Sequence, residues 1–155
     1  MLSDTERRRS AMRVRILATP FMASVGARFD KFEMEHVRLT LPFAPALTND
    51  GRYYHGGIVV AMLDTAGVSA FWASYDYRAR VRASTVSLST QFVGACDRSD
   101  LVCEAGVIKR GQDLVFTSSI ATDTTGRVVA HGLQTYRIAP LPPTETAYKD
   151  GPTES

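Results

Sequence analysis

One feature narrows the possible folds more than any other: the nearly unbroken apolar run from Gly57 to Ala73, GIVVAMLDTAGVSAFWA. A central β-strand of that length is ruled out, and the Ala, Met and Leu content leans helical. A helix apolar on almost every side has to be covered by the rest of the chain. The run is short for a membrane span and carries Asp64 at its middle, where a carboxylate in lipid is expensive. The segment is therefore expected to be the buried helix of a globular domain.

The flanking sequence supplies the cover. Ala27 to Leu41 reads as one long strand: Phe32 and Met34 alternate with charged residues, then Val37, Leu39 and Leu41 alternate in the opposite phase. That flip near His36 predicts a bulge or sharp bend. Pro42 to Tyr54 is a loop. After the helix come Ser84 to Gly94, with Val86, Leu88 and Thr90 on one face, then Leu101 to Lys109 and Leu114 to Thr122 around an Arg110-Gly111-Gln112 turn. A DTTG turn at Asp123 to Gly126 leads to a last strand, Arg127 to Ile138. No βαβ alternation is present, so the expected class is α+β, an antiparallel meander packed around one buried helix.

At 155 residues and a net charge of +2, the chain suits one domain, expected over residues 1–139, and offers no charge argument for nucleic acid. Residues 1–26 read as a helical lead-in, with Ser3 and Glu6 in capping-box spacing and Pro20 interrupting the helix. Its arginines (Arg7, Arg8, Arg9, Arg13 and Arg15) are expected on a solvated helix, since Asp4 and Glu6 do not suit a transit peptide. With no apolar leader and only Cys96 and Cys103, outside any CxxC spacing, the expectation is a cytoplasmic protein with reduced thiols, no metal and no membrane association. Residues 140–155, rich in Pro, Thr and Glu, read as a disordered tail.

Asp64 lies in the most apolar helix, where a carboxylate is costly unless paired or functional. His55-Gly56-Gly57 stands immediately before that helix. Paired glycines let another molecule approach the backbone, and the free amides and dipole of a helix start favour negative charge. Such an arrangement stabilises an oxyanion on a carbonyl under attack. Asp64 follows Gly57 by two helical turns, about 10 Å along the axis. One reacting carbon cannot readily be shared across that distance, whereas a two-fold dimer would set the helix start of one subunit against Asp64 of the other.

Asn49, the HGG of residues 55–57, an apolar helix and a central Asp64 followed by Thr65, Ala66 and Gly67 together resemble the PaaI-like branch of the hotdog-fold thioesterases, over about Val37 to Ile138. The resemblance implies a hotdog fold and hydrolysis of an acyl- or aryl-CoA to free acid and CoA. Asp64 would be general base or nucleophile, and the Gly57 amide would polarise the carbonyl. Asn49 and His55 would position water or shape the site, with Gly56 beside them, and Thr85 would help hold the water. Lys109, Arg110 and Gln112 would lie near the nucleotide end of CoA. No cofactor is implied beyond the CoA of the substrate. The implied assembly is a homodimer with shared active sites, and tetramers are common in the family. The chain departs from the family in Asp50, Arg52, Tyr53 and Tyr54, which bear on the acyl pocket, and in Gly94, where relatives often carry Arg.

Two rival readings share this fold. One is a non-catalytic acyl-CoA binder, although the N-terminal segment is too short for a helix-turn-helix module. The other is an enoyl-thioester hydratase, which would need a catalytic His paired with its acid in a different motif. His36 and His131 sit in strand patterns as ordinary core or surface histidines. Neither cysteine has a base that would make it a nucleophile.

Overall fold

The computed structural model describes residues 1–75 and 80–143. The chain runs α1 (Asp4–Leu17), α2 (Pro20–Val25), β1 (Arg28–Glu33), β2 (His36–Leu41), α3 (Gly56–Ala73), β3 (Val81–Phe92), β4 (Leu101–Arg110), β5 (Leu114–Thr122) and β6 (Val128–Pro140). The six strands form one antiparallel sheet in the order β1-β2-β4-β5-β6-β3. Helix α3 packs against every one of them. Six strands at about 4.8 Å spacing are much wider than a helix of about 10 Å, so the sheet has to curl around α3. That is the hotdog arrangement.

The apolar run forms α3 as expected, one residue longer at its start, with His55 as N-cap. Its buried positions, including Val59, Met62, Leu63, Ala66 and Ala70, recur at helical spacing and meet Val37, Leu39 and Leu41 of β2 and Leu101, Cys103 and Ala105 of β4. Each large apolar side chain fully buried there contributes about 1.5–3 kcal/mol. The helix is not covered all round, however. Gly57, Val60, Asp64 and Val68 form a half-exposed to exposed stripe on the face away from the core.

Three strand expectations need correcting. Ala27 to Leu41 is two strands in a hairpin, with Glu35 at φ 60° in the turn. The phase flip at His36 marks a chain reversal, and the bulge of this hairpin lies between Phe29 and Lys31 instead. The meander is incomplete: β3 does not lie beside β4 but crosses to the far edge and pairs with β6. Finally, Val86 does not share a face with Leu88 and Thr90. It occupies a bulge between Thr85 and Ser87, so that Thr85, Leu88 and Thr90 stand opposite Tyr136, Gln134 and Gly132, which are buried on the helix side.

The N-terminal lead-in is anchored rather than merely solvated. Ser3 and Glu6 form the expected reciprocal cap of α1. Arg9 donates to the Ala73 carbonyl at 2.7 Å, and Arg13 to the Phe29 carbonyl at 2.8 Å. The first of these places a cation at the negative end of α3. Pro20 opens α2 at its first turn, and Gly26, at φ 72°, closes it. Pro140 ends β6 paired with Val81, so order extends past the expected start of the tail; residues 144–155 lie outside the described residues.

Candidate active site

The segment before α3 is a tightly cross-braced loop. Thr48 and Tyr54 form a bridge, Asn49 N–H donates to the Tyr53 carbonyl, and His55 N–H donates to the Leu47 carbonyl. Asp50 accepts the amides of Arg52 and Tyr53, and these bonds hold its carboxyl below the usual aspartate range. The departures from the family pattern serve this brace. Arg52 grips Asp97 of the β3–β4 connection through two bonds of 2.7 and 2.5 Å, and Arg98 N–H donates to the Arg52 carbonyl. Tyr54 is buried, stacks edge-on with Phe43 and donates to the Leu41 carbonyl at 3.3 Å. Neither Arg52 nor Tyr54 is a free pocket wall.

At the helix start the imidazole of His55 folds back, and its Nδ1 accepts the Gly57 N–H at 2.9 Å. The neutral ring therefore carries its proton on Nε2. A Cβ at Gly57 would lie 2.9 Å from Nδ1, so a side chain there would push the His55 ring off its cap. The donor expected to be free is thus occupied by its own cap. The Ile58 and Val59 amides turn back to the His55 carbonyl. Among the described residues, the Gly56 N–H has no partner, so that amide is open at the positive end of α3. Asn49 is exposed on the preceding loop.

Asp64 sits two turns along, half-buried on the open stripe of α3. Thr85 Oγ1 lies 3.1 Å from its Oδ1 and 3.2 Å from its Oδ2. The Val86 bulge is what turns Thr85 to this face. Tyr136, missed in the sequence, shares its one phenol proton between Asp64 Oδ1 at 2.9 Å and the Asp64 carbonyl at 2.8 Å. Burial, with the Asp64 charge beside it, pushes the Tyr136 phenol well above its usual range, so it stays a donor. The available signal was Gly132, Gln134 and Tyr136 on one strand face, two polar side chains where a core face wants apolar ones.

The hairpin residues lie elsewhere. Arg110 binds Glu35 at 3.0 Å, the Phe71 carbonyl at 3.4 Å and the Ser74 hydroxyl, and its guanidinium covers the Phe71 ring at 5.2 Å. It closes the C-terminal end of α3 together with Arg9. Lys109 and Gln112 are exposed at that same end. Within one chain the candidate residues therefore fall into three groups along α3: Asn49, His55, Gly56 and Gly57 at its start, Asp64 and Thr85 with Tyr136 at its middle, and Lys109, Arg110 and Gln112 by its end.

The remaining reactive groups are held away from this chemistry. Burial pushes the Cys96 and Cys103 thiols up to about 11 and about 12, far from thiolate formation. His36 pairs with Glu104 at 3.5 Å, and His131 is exposed.

Comparison with known proteins places the chain that carries this helix-centred carboxylate in a family. Residues 51–130 match the family model described as "Thioesterase superfamily". The chain belongs to the thioesterase superfamily. A protein of Saccharolobus solfataricus, provisionally named an esterase, is 29% identical over 117 residues, 74% of each chain. A solved thioesterase family protein from Silicibacter pomeroyi superposes with a TM-score of 0.75 at 25% identity, over 88% of this chain and 98% of that one. A Streptococcus pneumoniae protein, described as a hypothetical thioesterase with coenzyme A, shares the fold at 16% identity and a TM-score of 0.66, over 74% of this chain and 86% of that one.

Proposed function

We propose that this superfamily member hydrolyses an acyl- or aryl-CoA thioester in a site shared between two subunits. The observation that carries the reading is the Asp64 carboxylate, held by Thr85 and Tyr136 yet only half-buried on α3. Asp64 takes a proton from water as the water oxygen bonds to the thioester carbon. The carbonyl electron pair moves to oxygen, where an amide at the start of α3 steadies the charge. The tetrahedral adduct then reforms the carbonyl, the C–S bond breaks, and the CoA thiolate leaves and collects the proton. The carboxylate acting instead as nucleophile uses the same geometry.

The amide is supplied by the other subunit, because Asp64 and its own helix start are separated by about 10 Å of helix. The two sheet edges support a dimer built through β3. Strand β1 is a short edge, bulged and studded with Arg28, Asp30, Lys31 and Glu33, the features that block edge pairing. Strand β3 is a 12-residue edge with no charge from Ala83 to Phe92. Two copies joined there extend the sheet and bring their α3 stripes toward a common axis. The coenzyme A described for the Streptococcus pneumoniae protein supports a CoA thioester as the substrate class.

Thiol release from acetyl-, hexanoyl- and benzoyl-CoA tests the reading. Asp64→Ala is expected to lower turnover at least about 10²-fold, the low end for losing a general base. Unchanged turnover sinks the assignment, and saturable CoA binding without thiol release points to a binder.

A further inference from the structure

Helix-facing polar side chains are concentrated under one stretch of α3. Thr117, Ser119, Gln134 and Tyr136 are each at most 5% exposed. Thr117 Oγ1 donates to Gln134 Oε1 at 2.9 Å, and Gln134 Nε2 donates to Ser119 Oγ at 2.6 Å. Two glycines leave room for this cluster. A Cβ on Gly67 would lie 2.5 Å from the Tyr136 phenol oxygen, 2.8 Å from Thr117 Oγ1 and 3.0 Å from Gln134 Oε1. A Cβ on Gly132 would lie 2.5 Å from Gln134 Nε2 and 2.6 Å from Ser119 Oγ. Buried polar side chains are costly unless paired, and a paired network of them makes the wall of the core rigid. The cluster ends at the one carboxylate of α3.

We propose that Tyr136 is a positioning residue for Asp64: its phenol pins Oδ1 and leaves Oδ2, held only by the longer Thr85 bond, as the oxygen that meets the reacting water. The inference rests on Asp64 being the catalytic carboxylate. The phenol bonds the Asp64 carbonyl as well as the carboxylate, so it ties the side chain to its own turn of helix. The Thr117–Gln134–Ser119 chain fixes the polar wall against which the phenol sits. A carboxylate on a flexible single bond is thereby held in one rotamer before substrate arrives, which is the preorganisation a general base needs.

The test compares the wild type, Tyr136→Phe, Asp64→Ala and the double variant, with hexanoyl- and benzoyl-CoA as probes. Tyr136→Phe keeps the ring and removes one hydrogen bond to a charged group, so kcat is expected to fall about ten- to a hundredfold with KM within about twofold. In the Asp64→Ala background the same change is expected to leave the residual rate within about twofold, because Tyr136 acts through Asp64. Full kcat in Tyr136→Phe alongside an inactive Asp64→Ala overturns the positioning role alone. An equal loss in both backgrounds overturns it in favour of a structural role. Full turnover in Asp64→Ala removes the catalytic reading and this inference with it. Should Tyr136→Phe not fold, Gly67→Ala displaces the phenol without deleting it and is expected to lower kcat in the same way; full kcat there overturns the proposal.

Discussion

His55 Nδ1 caps the Gly57 amide at 2.9 Å, so the side chain that opens α3 also occupies a donor its chemistry would use. A cap of this kind contributes about 1 kcal/mol. His55→Ala is expected to lower unfolding stability by roughly that amount in urea titration, with the slope unchanged. If Gly56 supplies the oxyanion donor, removing the cap leaves that amide in place and kcat falls less than tenfold. A loss matching that of Asp64→Ala would instead make His55 part of the chemistry.

The unguarded β3 edge sets a second expectation. Ser87→Lys with Ser89→Lys places charges in the uncharged run, where a β3–β3 pair would bring the like charges of two copies close together. Sedimentation is expected to show the dimer shifted toward monomer, with thiol release falling in proportion to the monomer fraction. Monomers with full activity per chain would exclude a shared site.

Lys109 and Arg110, adjacent in sequence, are expected to respond differently to mutation. Arg110 is tied to Glu35, Phe71 and Ser74 at the end of α3, so Arg110→Met is expected to cost about 1 kcal/mol of stability, a partly exposed pair contributing no more. Lys109 is exposed, and under the proposed function it is the cation of the pair left to meet a CoA phosphate. Lys109→Ala is expected to leave the melting temperature unchanged and raise KM severalfold at low salt, with the difference shrinking as salt is added. Equal KM at all ionic strengths would remove Lys109 from CoA recognition.

The sequence by itself determined the buried helix, its position, the strands that follow it and the HGG–Asp64 spacing. Those features rest on local rules: periodicity, capping and the cost of an isolated carboxylate in an apolar segment. Boundaries such as β5 at Leu114–Thr122 were legible for the same reason. Tertiary structure decided what depends on partners distant in the chain. Strand order is one case, since β3 lies against β6 only because a crossover carries it past the sheet. Tyr136 is another: it reaches Asp64 across 72 positions, and no local pattern encodes that approach. The role of Thr85 turned on a single extra residue, Val86, because a one-residue shift in a strand reverses which face every later side chain takes. The composition of the helix start permits an open anion site. Only the folded backbone showed the His55 ring turned onto Gly57, leaving Gly56 as the open amide.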